Sequence, residues 1–221
     1  MGKFIIRRVV KTLVIIFCIT AVFFTIFYFT PGDPARCLLA KPVIYLYPET
    51  AQEVYVELGC EDELAVTYPE YGDGWHVLAE PDGTITDLSD GKEYSYLFWE
   101  AESSDMEADF SKGFCVRGED TAEFLQETLA AIGLTPREYN EFIVYWMPLM
   151  QGNEYNLISF QWENYDAAAP LSVTPEPDSI LRVFMAYKAV DEPVDIEPQT
   201  FEPFTRDGFT VVEWGGTEVT D

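Results

Sequence analysis

The sequence is poorest in histidine, in cysteine and in positive charge. One histidine, His76, stands in 221 residues. A tetrahedral zinc site needs four nitrogen or sulfur ligands, so one histidine and no close Cys-x-x-Cys pair argue against one. Four cysteines are present: Cys18 lies in an apolar run, leaving Cys37, Cys60 and Cys115. Three cysteines cannot all pair, which excludes a disulfide scaffold and leaves Cys60 with Cys115 as a conceivable bridge. Lysine and arginine number 13 against 39 aspartates and glutamates, a net charge of −26. Such a chain repels nucleic acid and anionic lipid, so neither is expected as a partner.

A second long hydrophobic run is also missing. The first occupies Thr12 to Gly32, which holds no charged residue. At about 1.5 Å per residue, a run of this length crosses a hydrocarbon core roughly 30 Å thick. A buried core helix would show a polar stripe, and this segment shows none. Lys3, Arg7, Arg8 and Lys11 precede it, while Asp33 and Arg36 nearly cancel after it. The positive flank stays inside, so the expected topology is a single pass with the main domain outside the cytoplasm. No small-x-small cleavage site follows the run, which favours an uncleaved signal anchor over a signal peptide. The expected organisation is therefore a cytoplasmic basic segment 1–11, a transmembrane anchor 12–32, a linker 33–41 and an acidic extracytoplasmic domain 42–221.

Phe4-Ile5-Ile6-Arg7-Arg8, the apolar run and Phe29-Thr30-Pro31-Gly32-Asp33-Pro34-Ala35 together resemble the start of dipeptide/oligopeptide-type ABC transporter permeases. The resemblance covers residues 1–36 and implies a first helix running from inside to outside. The later apolar runs, near 142–150 and 183–189, are too short to span, so a permease pore is not expected.

Beyond residue 36 the chain has 8 basic and 38 acidic residues, with 27 aromatics. Disordered acidic chains are poor in aromatics, so this region is expected to fold. Val43–Tyr47, Glu53–Leu58 and Trp75–Glu80 read as strands, the latter two by alternation. Turn signals at Pro81-Asp82-Gly83 and Asp90-Gly91 bring Thr84–Leu88 and Lys92–Trp99 back beside Trp75–Glu80 as a meander. Asp120 with Glu123 and Thr135 with Glu138 read as two capping boxes, opening a helix closed by Gly133 and a second, short one. Tyr155–Trp162, Ile180–Ala189 and Phe209–Trp214 complete the strands, with loops at 165–178 and 190–203. The fold class is α+β, a mainly antiparallel sheet with a helical pair on one face or end. Lys41 to Glu49 (KPVIYLYPE), Tyr94–Glu100, Gly118–Leu125 and Val212–Gly216 resemble a family of uncharacterised bacterial proteins. That resemblance covers 41–218 and implies one intact domain, with no activity attached.

Residues with chemistry are few. His76 falls on an outward strand face that Glu80, four residues on, shares, a pairing that would orient a general base. A lone strand histidine is more often structural. Asp82, Asp87 and Asp90 crowd two adjacent turns and form a candidate calcium site by oxygen ligation, although Asp-Gly turns occur for backbone reasons alone. No other cofactor is expected. Ser89-x-x-Lys92 has the spelling of an acyl-transfer pair but lies across a turn rather than on a helix. Tyr45, Tyr47, Tyr94, Tyr96, Trp99, Trp146 and Trp162 offer a sugar-stacking platform or a core. Trp214-Gly215-Gly216 is expected to set a tryptophan against a close backbone approach. Three functions fit: a membrane-tethered binding module for a cell-surface protein or glycan, a carboxylate-based hydrolase, or a transporter-associated protein. The first needs no catalytic constellation.

Overall fold

A computed structural model describes residues 37–60, 64–103 and 106–220. The segment 1–36, where the basic flank, the anchor and most of the linker are expected, lies outside the described residues. Among those described, no helix is long and apolar enough to cross a membrane.

The strands form two sheets. β1 (Cys37–Tyr47), β3 (Leu64–Tyr68), β7 (Leu97–Ser103), β8 (Phe114–Arg117), β9 (Tyr155–Gln161), β11 (Ser179–Val190) and β12 (Thr210–Glu218) make the larger, in the order β3-β7-β1-β12-β11-β9-β8. β2 (Gln52–Leu58), β4 (Trp75–Ala79), β5 (Ile85–Asp87), β6 (Glu93–Tyr94) and β10 (Leu171–Thr174) make the smaller, in the order β10-β2-β4-β5-β6. All pairs are antiparallel except β11 with β12. Three α-helices are described, α1 (Thr121–Ile132), α2 (Pro136–Met150) and the short α3 (Glu163–Ala168), with a 3-10 turn at Gly118–Asp120 before the first. The α+β class and the mainly antiparallel pairing are as the residues foretell.

Alternation along the central strands builds two cores. On β1, Leu39, Ile44 and Leu46 face the smaller sheet and pack with Val54, Val56, Trp75, Val77 and Trp99. Val43 and Tyr45 face the helices and pack with Leu125, Leu129, Phe142, Trp146 and Trp214. The larger sheet is therefore the middle of three layers. β12 is buried along nearly its whole length, as a strand covered on both faces must be.

Several expectations are corrected. The segment Lys92–Trp99 is not one strand. β6 ends after Tyr94, and the chain crosses into the larger sheet as β7. Residues 37–40, expected to link, are paired within β1. The loop at 165–178 contains part of α3 and all of β10. Asp120 makes no side-chain cap on α1, whereas the Thr135–Glu138 box forms, with Thr135 N–H donating to Glu138 Oε2 at 2.7 Å. The second helix is also longer than the local composition indicates. Glu138, Phe142, Trp146 and Met150 recur every four residues and are all buried, so packing of that stripe overrides the β-branched residues between. Cys60 and Cys115 are not joined: Cys60 belongs to the sheet-facing core, and Cys115 Sγ accepts the Val194 N–H.

Candidate functional site

The site grows from a defect in β1. Lys41-Pro42 interrupts the register of β1 with both β7 and β12, between residues 39 or 40 and 43. Proline has no N–H to give a ladder, so a bulge here is the natural outcome. Lys41 takes a left-handed backbone with φ of 54°, the one non-glycine positive φ among the described residues. Such a conformation costs a side-chain-bearing residue about 1–2 kcal/mol, and it tends to persist where a site needs it. Gly215 makes room for the bulge: a Cβ there would lie 3.1 Å from the Pro42 Cα. Next to it, a Cβ on Gly216 would meet the Trp146 ring at 2.7 Å and the Met185 carbonyl oxygen at 2.6 Å. The expected close approach is real, but the tryptophan seated on it is Trp146. Trp214 is buried, edge-on to Phe142 at 5.2 Å.

The bulge aims Lys41 away from the ladder. Its ammonium stands 5.3 Å from the Tyr145 ring centre, 5.6 Å from Phe98 and 5.9 Å from Tyr96. Its backbone N–H donates to Glu100 Oε1 at 3.3 Å. Rings hold an ammonium through their negative faces and leave its three N–H donors available. Around this group opens a cavity of about 600 Å³, lined by Lys41, Tyr68, Glu93, Tyr94, Ser95, Tyr96, Glu141, Val144 and Tyr145. That volume suits a small ligand.

The walls are fixed from behind. Tyr45, buried beneath, donates its hydroxyl to Glu141 Oε2 at 2.8 Å. Burial, reinforced by Glu141, pushes the Tyr45 phenol well above its ordinary range. Tyr96 is raised by burial and then Glu141, and Tyr145 by burial and then Glu100, so both present protonated hydroxyls at neutral pH. Tyr94 packs edge-on to Tyr68 at 5.2 Å and donates to Asp90 Oδ2 at 2.7 Å. That bond holds Asp90 down to about 2 and, with burial a smaller cause, Tyr94 up to about 12.

The acidic turns have other work. Asp82 Oδ1 accepts the Thr84 N–H, Asp87 Oδ1 the Ser89 N–H, and Asp90 Oδ1 the Lys92 N–H, so each carboxylate closes its own turn. Among the described residues no group of three or more histidines, cysteines or carboxylates is placed to hold a metal. Ser89 and Lys92 lie on these turns, and Lys92 Nζ binds Asp90 at 2.9 Å. His76 is exposed and meets Glu53 across the ladder at 3.1 Å, not Glu80. Glu80 joins the β4–β5 turn through its backbone. Trp99 is in the sheet-facing core, its Nε1 donating to the buried Glu213 at 3.0 Å.

Of the aromatics singled out by composition, Tyr94 and Tyr96 line the cavity, Trp99 and Trp146 are core, and Trp162 lies elsewhere, exposed. Lys41, Tyr68, Glu93, Glu141 and Tyr145 carried no sequence signal of a site. The nearest one was a lysine placed directly before the proline that opens the β1 core run.

The family model described as "Binding-prot-dependent transport system membrane comp, N-term" matches residues 1–84. The amino-terminal part of the chain is permease-like. The match covers less than half of the chain and reaches through β1 to β4. No curated protein and no solved structure matches.

Proposed function

We propose that this chain is a membrane-tethered binding module, anchored by its permease-like amino-terminal segment with the described domain outside the cytoplasm, and that its ligand site is the Lys41 cavity. The observation that carries this reading is an ammonium ringed by three aromatic side chains at the wall of an open cavity. Four tyrosines, two glutamates, a serine and the lysine line that space. Aromatic faces bind the C–H faces of sugars, while charged and hydroxyl groups take their hydroxyls, so the ligand class that fits is a saccharide of the cell envelope. Net negative charge outside the membrane serves solubility and keeps anionic surfaces away.

The test uses the full chain in nanodiscs and a panel of soluble oligosaccharides, read by calorimetry. At least one should bind, and Tyr96→Ala should weaken it by about tenfold, a loss of roughly 1.4 kcal/mol, within the range for one ring contact. Binding that ignores Tyr96→Ala contradicts the assignment of the site. For topology, a carboxy-terminal reporter active only outside the cytoplasm should give signal, and silence reverses the orientation.

Glu93 and Glu141 share the cavity, which favours hydrolysis as a second reading. Glycoside cleavage needs two carboxylates flanking the bond. Release of new reducing ends that Glu141→Gln abolishes would establish it, while stable binding without turnover leaves the module a binder.

A further inference from the structure

Beyond residue 36, eight basic residues stand among 38 acidic ones. At that ratio a cation is drawn to a carboxylate wherever the fold lets it reach one. Lys92, Lys112, Arg117, Arg182 and Arg206 each meet one at 2.9 Å or closer. Arg137 donates to the Asp82 carbonyl at 3.2 Å, and Lys188 lies over the Phe110 ring.

Lys41 is held apart. Among the described residues no carboxylate lies within ion-pair distance of its ammonium, which stands among three rings at the cavity wall. The bulge fixes where its side chain starts, with a left-handed φ of 54° and the backbone N–H on Glu100 Oε1. Ring faces stabilise the charge but leave its three N–H donors for a ligand. The acceptor that matches such a donor best is an anionic oxygen.

The acids of the cavity limit which anion fits. Glu141 Oε2 accepts the Tyr45 hydroxyl at 2.8 Å, and Glu93 lines the same space. Carboxylates accept hydroxyl hydrogens and repel negative charge brought beside them. A phosphate ester carries about −1.5 to −2 at neutral pH against one ammonium, whereas a carboxylate carries a single charge. The complement of the cavity is a molecule with several hydroxyls, a C–H face for the tyrosines and one carboxylate. We propose that the Lys41 cavity takes an acidic saccharide, a hexuronate whose carboxylate sits on the Lys41 ammonium, which rests on the saccharide reading and narrows it.

The probes are oligosaccharides of glucuronate, galacturonate and mannuronate. Each is paired with one twin whose carboxylates are reduced to primary alcohols and another carrying phosphate esters on those alcohols. Calorimetry on the full chain in nanodiscs should show at least one uronate binding about tenfold or more tightly than either twin, the size of one charge-assisted contact. Lys41→Met keeps the stem against the rings without the charge, and should bring that uronate and its alcohol twin within about twofold of each other. Lys41→Arg keeps the charge and should keep the preference. A phosphate twin that binds as tightly as the uronate, or a uronate preference that survives Lys41→Met, overturns the proposal. Tyr96-dependent binding of uncharged oligosaccharides with no uronate preference would end the uronate assignment and leave the saccharide site standing. Silence from every oligosaccharide would end both.

Discussion

Two charged side chains on opposite faces of the larger sheet, Glu213 and Lys41, are held in opposite ways. Toward the smaller sheet, Glu213 is fully buried and fully engaged. Arg182 Nε donates to it at 2.7 Å and Trp99 Nε1 at 3.0 Å, while Arg182 also reaches Asp166 and the Ala169 carbonyl and lies over the Tyr165 ring at 4.5 Å. The Arg182 guanidinium and the Trp99 indole are both answered from within the fold. Toward the helices, the Lys41 ammonium faces three rings and an open cavity, with no carboxylate within ion-pair distance among the described residues. Closed charge holds layers together. Charge left open on a strained bulge is what a ligand site requires.

The largest expected effect falls on the closed face. Glu213→Ala leaves Arg182 and Trp99 without their buried acceptor and should cost about 3–5 kcal/mol, read from urea unfolding midpoints. A small change would mean that the network is not holding the sheets together. Next comes the glycine that separates the bulge from the helices. Gly216→Ala forces its Cβ into Trp146 and the Met185 carbonyl and should destabilise by about 1–3 kcal/mol. Gly215→Ala crowds Pro42 less severely. Its signature should be weakened ligand binding at near-normal stability, because the bulge that aims Lys41 shifts.

Lys41→Gly divides the two faces most sharply. Glycine relieves the left-handed backbone, worth about 1–2 kcal/mol, against lost ring contacts worth about 0.5–2 kcal/mol. Thermal stability should therefore stay within about 1 kcal/mol while ligand affinity falls by about tenfold or more. A large stability loss would make Lys41 a structural residue like Arg182.

The smallest effect is at the rim. Asp90 is held at about 2, below its unfolded value, by the Tyr94 hydroxyl and by Lys92. A depressed carboxyl contributes stability that is present above the unfolded pKa and disappears as pH falls through the folded one. Wild type should lose this contribution between about pH 4 and pH 2, and Asp90→Asn should show no matching loss. Comparing acid unfolding curves of the two decides it.

Much of the fold was written in alternation and turns. Val54, Val56 and Leu58 and then Trp75, Val77 and Ala79 are buried as their period of two requires. Gly133 closes α1 with a φ of 125° and its N–H on the Leu129 carbonyl. What alternation cannot show is which sheet a strand joins, so the crossing from Tyr94 to Leu97 was hidden. β3 was hidden too, because a short edge strand buries too little to impose a pattern. The cavity was less legible still. It unites residues from β1, β3, β6, the crossing and α2, brought together only by three-layer packing. Aspartates drew attention by composition, and one oxygen of each closes a local turn. The informative signal was Lys41 before Pro42, a charge placed where a buried strand must break its ladder.

The most direct measurement of the central claim is the side-chain signal of Lys41. With lysines reductively methylated with carbon-13, the Lys41 methyls sit near three ring faces and should resonate upfield of every other lysine, a peak that Lys41→Gly removes. Adding a saccharide that binds should move that peak in proportion to occupancy. A ligand that saturates the chain while the Lys41 signal stays fixed would place binding elsewhere and contradict this account.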